Sequence, residues 1–264
     1  MHDQWRGQWG LITGASAGIG AVFARDLAAG GANLVLTARR ADRLEQLAVE
    51  LRKTHGVRVE TVIADLEQQS APDEVFAFTQ AKGLPIDFLI NNAGFGTYGE
   101  FAKSDMGRQL GMVRVNCAAV VQLTHLYLPP MIERRRGDIL ILASTAAFQG
   151  VPYMAVYSAT KAFDLLFAEA LAQEVKRHGI RVCALCPGST KSEFADVAGA
   201  PTERIARKVE TAEKVVRVGL DALLAGKHSV VSGWQNVISA QMQRLAPRRT
   251  VTRIAEKLFR PANI

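Results

Sequence analysis

Residues 8–20, Gln8-Trp9-Gly10-Leu11-Ile12-Thr13-Gly14-Ala15-Ser16-Ala17-Gly18-Ile19-Gly20, start as an apolar run and end as a glycine-spaced turn. A short apolar run bounded by glycine reads as a buried strand. The next stretch, Ile19–Ala29, has helical periodicity. Glycines in such a turn let it tighten and let a ligand approach the backbone. The helix opening behind them offers free N–H groups and the positive end of its dipole, which together suit a pyrophosphate. Glycine-rich turns are common. This one gains weight by following the first strand and opening a helix. Gly14, Ser16, Gly18, Ile19 and Gly20 are therefore the first candidate dinucleotide contacts.

Outward from this turn, strand-like runs alternate with helical segments. The strands read as Gln8–Thr13, Asn33–Ala38, Arg58–Ala64, Ile86–Ile90, Asp138–Ala143, Ile180–Cys186 and His228–Ser232. Helical stretches between them include Ala41–Thr54, Ser104–Pro129 and Tyr157–His178. Strands with little polar alternation, separated by helices, imply a parallel sheet covered on both faces. The expected fold is α/β: a single-domain, doubly wound Rossmann-type sheet of about seven strands with helices on both faces. No linker, low-complexity tract or internal repeat divides residues 1–264, so one domain is expected.

Hydrophobic residues make up 48% and charged residues 22%, the balance of a soluble globular chain. No apolar segment approaches the ~20 residues of a membrane span. The start, Met1 to Gly14, carries no basic stretch followed by an apolar run. Three cysteines, Cys117, Cys183 and Cys186, are too few for a disulfide framework and fit a reducing cytoplasm. Cys183 and Cys186 spell Cys-x-x-Cys inside a buried strand, where residues three apart face opposite ways. No second Cys or His pair completes a zinc site, and no metal is expected. The net charge of +7 is concentrated in the tail, where Arg244, Arg248, Arg249, Arg253, Lys257 and Arg260 stand against Glu256. No nucleic-acid module accompanies that charge. A solvated helix with Leu245, Val251, Ile254, Leu258 and Phe259 packed inward is the preferred account.

In a sheet of this kind ligands bind at the carboxyl ends of the strands. The second strand ends Thr37-Ala38-Arg39-Arg40. An acid here would bind the adenosine ribose hydroxyls. Two guanidiniums instead suit a 2′-phosphate, so Arg39 and Arg40 point to NADP(H) rather than NAD(H). Asp65 and Leu66 follow the third strand, and Asn91-Asn92-Ala93-Gly94 follow the fourth. Asp65, Leu66, Asn92, Ala93 and Gly94 join the candidate cofactor contacts, with one of the two asparagines expected only to tie the loop.

The run YSATKAF holds Tyr157 and Lys161, thirteen residues beyond Ser144. A helix places residues four apart on one face. A phenol titrates near ~10, and a neighbouring ammonium favours the phenolate and lowers that value. The pair becomes an acid/base, with Ser144 placed to hydrogen-bond a substrate oxygen. Taken alone, Tyr-x-x-x-Lys also occurs on many solvated helices.

Together, TGASAGIG at 13–20, Asp65, NNAG at 91–94, Asn116, Ser144, YSATK at 157–161 and Pro187-Gly188 resemble the short-chain dehydrogenase/reductase family over residues 8 to 190. The resemblance implies that Tyr157 donates the proton in carbonyl reduction and acts as base in alcohol oxidation. It implies that Lys161 tunes Tyr157 and binds the nicotinamide ribose, that Ser144 orients the substrate oxygen, and that Asn116 supports a water-linked proton relay. Pro187, Gly188 and Thr190 would hold the nicotinamide end. Homodimers or homotetramers built through the long helices are implied too. Many NADP-using members carry a basic residue where this chain has Ala17, which leaves the phosphate to Arg39, Arg40 and Ser16. The four-residue Tyr–Lys spacing favours C=O over C=C reduction. Lys191–Thr211 falls where the family places a substrate lid. Residues 235–264 form a basic helical tail that caps the substrate site, packs on a second subunit, or rests on a membrane. Phe95, Tyr98, Phe148, Val151, Phe194 and Trp234 are candidates for an apolar pocket.

The expected activity is NADP(H)-dependent interconversion of an alcohol and a fairly hydrophobic ketone or aldehyde (3-oxoacyl, steroid-like or aromatic). Two alternatives compete: a catalytically silent cofactor-binding regulator, and a membrane-associated lipid ketoreductase. The presence of Asn116, Ser144, Tyr157 and Lys161 opposes the first.

Overall fold

The first strand, β1 (Trp9–Thr13), is buried along its whole length, and so are β2 (Asn33–Ala38) and β4 (Ile86–Asn91). Burial on both faces is what an uninterrupted apolar run demands of a central parallel strand. The computed structural model describes residues 2–200 and 209–261. With β3 (Val59–Ile63), β5 (Gly137–Leu142), β6 (Ile180–Cys186) and β7 (Ser229–Val231), the strands form one seven-stranded sheet in the order β3-β2-β1-β4-β5-β6-β7. Every pairing is parallel. The strand order reverses between β1 and β4, which opens a crevice at their carboxyl ends.

Side chains alternate between two cores. On one face α1 (Gly18–Ala29) and α2 (Ala41–His55) pack Phe23, Leu27, Leu44 and Leu51 against Leu34, Phe88 and Leu140. On the other, α3 (Ala71–Ala81) contributes Val75 beneath Leu11, Leu89 and Ile139. Cys183 lies in the first core and Cys186 in the second, the opposed directions expected of residues three apart. Burial pushes both thiols up to about 12, so neither is a ready nucleophile. Gly10 sits opposite Phe88 in the ladder, and a Cβ there would fall 1.8 Å from the Phe88 ring. Only glycine lets that ring lie flat across the sheet.

The helix expected over Ser104–Pro129 is instead composite. α4 (Met106–Val113) passes through a π-helical turn, Arg114–Ala118, into α5 (Ala119–Glu133). Asp105 caps α4 by accepting from the Arg108 N–H. Helix α5 runs beyond Pro129 and Pro130 because Tyr127 and Met131, on either side of them, are both buried against the sheet. Tertiary packing outweighs the local penalty of proline here. Then follow α6 (Ala155–Val175), α7 (Phe194–Ala198), α8 (Ala212–Leu224), α9 (Trp234–Met242) and α10 (Arg248–Phe259).

The tail corrects one expectation. Leu245, Ile254 and Leu258 are exposed rather than packed inward. Helix α10 docks through Val251, Ala255 and Phe259, spaced four apart, and the Phe259 carbonyl accepts from the Tyr98 hydroxyl at 2.7 Å. No helix among the described residues is long and apolar enough to cross a membrane.

At the opposite pole from the crevice, buried His2 bridges two helices. Its Nδ1 lies 2.6 Å from Asp26 on α1, and its Nε2 lies 3.0 Å from Asp221 on α8. Only imidazolium can donate to both carboxylates at once. The hydrogen bond to Asp26 raises the His2 pKa above its ordinary value, against the opposing effect of burial. The associated stability is therefore complete below the unfolded-state value and is lost as pH rises through the folded one. Asp221 is largely exposed, so solvent screening limits the gain to about 1 kcal/mol or less. Denaturant unfolding of wild type and His2→Ala should differ most near pH ~6 and converge in alkali.

Candidate active site

At the switch point the β1 and β4 ends are stitched together. The Thr13 hydroxyl accepts from the N–H groups of Asn92 (3.0 Å) and Ala93 (2.9 Å), and Asn92 Nδ2 donates to the Thr13 carbonyl at 2.8 Å. Gly14 has φ +65°, and a Cβ on Gly20 would lie 2.4 Å from the Gly14 oxygen. The start of α1 therefore presses against the turn only because position 20 is bare. Asn91 turns away to Thr124, donating at 3.0 Å, so it serves the scaffold without reaching the crevice.

Above this seam lies a cleft of ≈ 320 Å³ lined by Gly14, Ser16, Gly18 and Ile19 from the turn, Arg39 and Arg40 from the β2 end, and Asp65 and Leu66 from the β3 end. Asn92, Ala93 and Gly94 complete its floor. Of the residues singled out around the turn and strand ends, Gly20 alone stays out of the lining, because it is a packing residue beneath it. The cleft continues into a second, of ≈ 400 Å³, with Ile19, Asn92, Gly94, Leu142, Ser192 and Phe194 shared between the two. A two-chambered groove over a glycine turn fits an extended dinucleotide.

The mouth of the first chamber is basic. The Arg40 guanidinium donates to Ser16 Oγ at 3.2 Å and to Glu193 at 2.8 Å, and Arg43 donates to the same Glu193 carboxylate at 2.6 Å. These hydrogen bonds hold Glu193 below the usual carboxylate range. Two guanidiniums converging on one anion are a donor set fit for a phosphate. Arg39 instead pairs with Glu67 at 3.3 Å and lies 3.9 Å from Asp65. Arg43 escaped the sequence reading, although it stands three residues beyond Arg40 at the start of α2 and so shares its face.

In the second chamber α6 presents Tyr157 and Lys161, and Pro187, Gly188 and Thr190 approach from the β6 end. Ser144 caps a 3₁₀ turn, accepting from the Ala146 N–H at 3.1 Å, and lines the chamber with Tyr157. Lys161 Nζ donates to the Leu142 carbonyl at 2.6 Å and to Asp164 at 2.9 Å. Lys161 pulls the Tyr157 phenol down, as the spacing implied, and Ser144, expected only to meet the substrate oxygen, does so too. Burial outweighs them and sets the phenol above its ordinary value. Asn116 lies behind this wall, fully buried in the π-helical turn. Its Nδ2 donates to the Phe95 carbonyl and to Thr160 Oγ1, both at 3.0 Å, and its Oδ1 accepts from the Phe95 N–H at 3.1 Å. Its side chain thus clamps the Gly94–Phe95 turn rather than lining the groove.

Among the apolar candidates, Phe194 packs on the Tyr157 ring with centroids 5.1 Å apart, and Val151 lines the same chamber. Phe95 lines the first chamber. Tyr98 and Phe148 serve as packing at the chamber's back, and Trp234 is 69% exposed outside it. The sequence reading missed Met154, Asn236, Ala240 and Phe259, which line the second chamber. Three of these come from the tail, where no motif marks them. Ser189 and Glu210 pair across the base of the expected lid, the Glu210 N–H donating at 2.9 Å. Residues 201–208 of that lid and 262–264 of the tail lie outside the described residues.

The chain belongs to the short chain dehydrogenase family, whose model matches residues 8–202. It is thus an oxidoreductase acting on CH–OH groups with a nicotinamide cofactor. It is 33% identical over 234 residues to a 7beta-hydroxysteroid dehydrogenase of Collinsella aerofaciens, covering 87% of this chain and 88% of that protein. It is 38% identical over 181 residues to a very-long-chain 3-oxoacyl-CoA reductase of Phaeosphaeria nodorum, covering 67% of this chain and 53% of that one. A short-chain dehydrogenase from Sphingobium yanoikuyae, solved in complex with NADPH, superposes with a TM-score of 0.81 at 30% identity, covering 90% of this chain and 94% of that one.

Proposed function

We propose that the chain is an NADP(H)-dependent reductase of a bulky, hydrophobic ketone, of the hydroxysteroid type, and runs the reverse alcohol oxidation. One observation carries the reading: Ser144, Tyr157 and Lys161 meet in a chamber whose apolar wall is Val151, Met154, Phe194, Ala240 and Phe259, with Gln149, Asn236, Ser239 and Gln243 as polar neighbours. A carbonyl oxygen there accepts from Ser144 and from the Tyr157 hydroxyl, and Tyr157 delivers the proton as the oxygen gains charge. The nicotinamide, when bound, supplies or takes the hydride. Lys161 keeps one N–H beyond those given to Leu142 and Asp164, and that donor serves a cofactor ribose hydroxyl. Pro187, Gly188 and Thr190 hold the nicotinamide end. Arg40 and Arg43, which converge on Glu193, take the 2′-phosphate together with Ser16, and Arg39 adds charge beside them.

The named relatives support a steroid or long acyl ketone over a small polar one. Exposed Leu110, Val113, Val121, Phe163 and Leu166 on α4, α5 and α6 support assembly as a homo-oligomer through those helices. The test is oxidation of NADPH, with NADH in parallel, across hydroxysteroid-type, 3-oxoacyl and small aromatic ketones. Turnover of the first class with NADPH is expected. Tight NADPH binding with no hydride transfer to any class would overturn the reading in favour of a silent cofactor-binding protein.

A further inference from the structure

Helix α6 buries one continuous face. Beyond Asp164 that face is Leu165, Ala168, Leu171, Ala172 and Val175, wholly apolar. Asp164 is the last polar residue on it and has no solvent exposure. Its Oδ2 accepts from Lys161 at 2.9 Å, while Oδ1 is buried without a hydrogen-bond partner. A buried carboxylate with one idle oxygen is a poor device for stability. The ammonium beside it offsets its desolvation only in part, so burial holds its pKa above the ordinary carboxylate value, and an apolar side chain would serve packing as well or better. The carboxylate is nonetheless fixed three residues from Lys161 and one further turn from Tyr157, on the same face.

We propose that Asp164 is a positioning residue of the site: its carboxylate fixes the Lys161 ammonium and offsets part of the charge that Lys161 directs at Tyr157. Two acceptors, Leu142 O and Asp164 Oδ2, then fix two of the three ammonium donors and leave the third aimed by default at the chamber. The offset also acts on Tyr157 itself. Lys161 lowers the phenol's pKa, and Asp164 raises it. Asp164 in turn holds Lys161 protonated against its burial. The remaining titratable groups facing this cluster are Cys117 from the π-helical turn and Cys186 from the end of β6, both with thiols pushed up to about 12 by burial, so neither carries charge near neutrality.

The inference rests on Tyr157 and Lys161 being the proton-transfer pair, so its test is chosen to need no turnover. The chain has four tyrosines, and subtracting the phenolate absorbance titration of Tyr157→Phe from that of its parent isolates Tyr157. The same subtraction in an Asp164→Asn background should move the Tyr157 midpoint down by about one pH unit. Superimposable midpoints in a folded Asp164→Asn protein overturn the proposal. Should Asp164→Asn not fold, stability decides. Lys161→Met alone leaves Asp164 buried and unpaired, so it should be markedly less stable than Lys161→Met with Asp164→Leu. Equal stability of the two would overturn the pairing on which the proposal stands. A failure of hydride transfer in wild type would count against the proposed function and leave both readouts intact.

Discussion

Tyr157→Phe should lower ketone reduction by about 10³-fold or more while NADPH affinity stays within about threefold of wild type. On the proposed mechanism the phenol gives the proton to a carbonyl oxygen in the second chamber, and Ser144 polarises that oxygen but does not replace the proton. The ring itself stays, packed on Phe194 with centroids 5.1 Å apart, so the cofactor groove keeps its shape. The direction of the pH dependence follows from the same geometry. Reduction needs the protonated phenol and falls as pH rises through its pKa. Oxidation needs the phenolate and rises over the same interval. Burial sets the phenol high, so oxidation should be favoured by alkaline pH. Stopped assays of both directions, with cofactor fluorescence titration of the variant, check the split. Undiminished turnover would falsify Tyr157 as the donor.

The sequence showed the sheet because parallel strands buried on both faces carry an unmistakable apolar signature, and helix boundaries fell within a few residues. It showed Tyr157, Lys161 and the glycine turn because their function depends on local spacing. What stayed hidden depends on packing between distant segments. The break of the long helix at Arg114–Ala118 turns Asn116 toward Phe95 and Thr160, and nothing in the residues RVNCA announces a π turn. The tail's contribution of Asn236, Ala240 and Phe259 to the chamber wall arises from where α9 and α10 dock. Asp164 was legible in principle, as the one acid on the buried helical face and its last polar residue, three residues past Lys161. The pairing of Glu193 with Arg40 and Arg43 joins residues about 150 positions apart, and only the fold brings them together.

That pairing sharpens what should happen at the cofactor's other end. Replacing Arg40 by Ala should weaken NADPH by about tenfold, and replacing Arg39 and Arg40 together by about a hundredfold, while NADH changes by no more than about threefold. These guanidiniums have protein partners: Arg40 has Glu193 and Ser16, and Arg39 has Glu67. All of these side chains are substantially exposed, so the pairs are worth little to stability and give way readily. A 2′-phosphate carries more charge than one carboxylate and offers three oxygens, so it competes well for Arg40 and Arg43 at the same position. NADH lacks that group and gains nothing from displacing Glu193. Its affinity should therefore be nearly blind to the arginines, and Glu193→Gln should tighten NADPH by a few-fold, within the ~0.2–1 kcal/mol of an exposed pair. Because the site is open to solvent, the NADPH preference should shrink as salt is raised from about 0.01 M to 1 M. Equal losses for both cofactors in Arg40→Ala would mean that the basic mouth shapes the loop and does not read the phosphate.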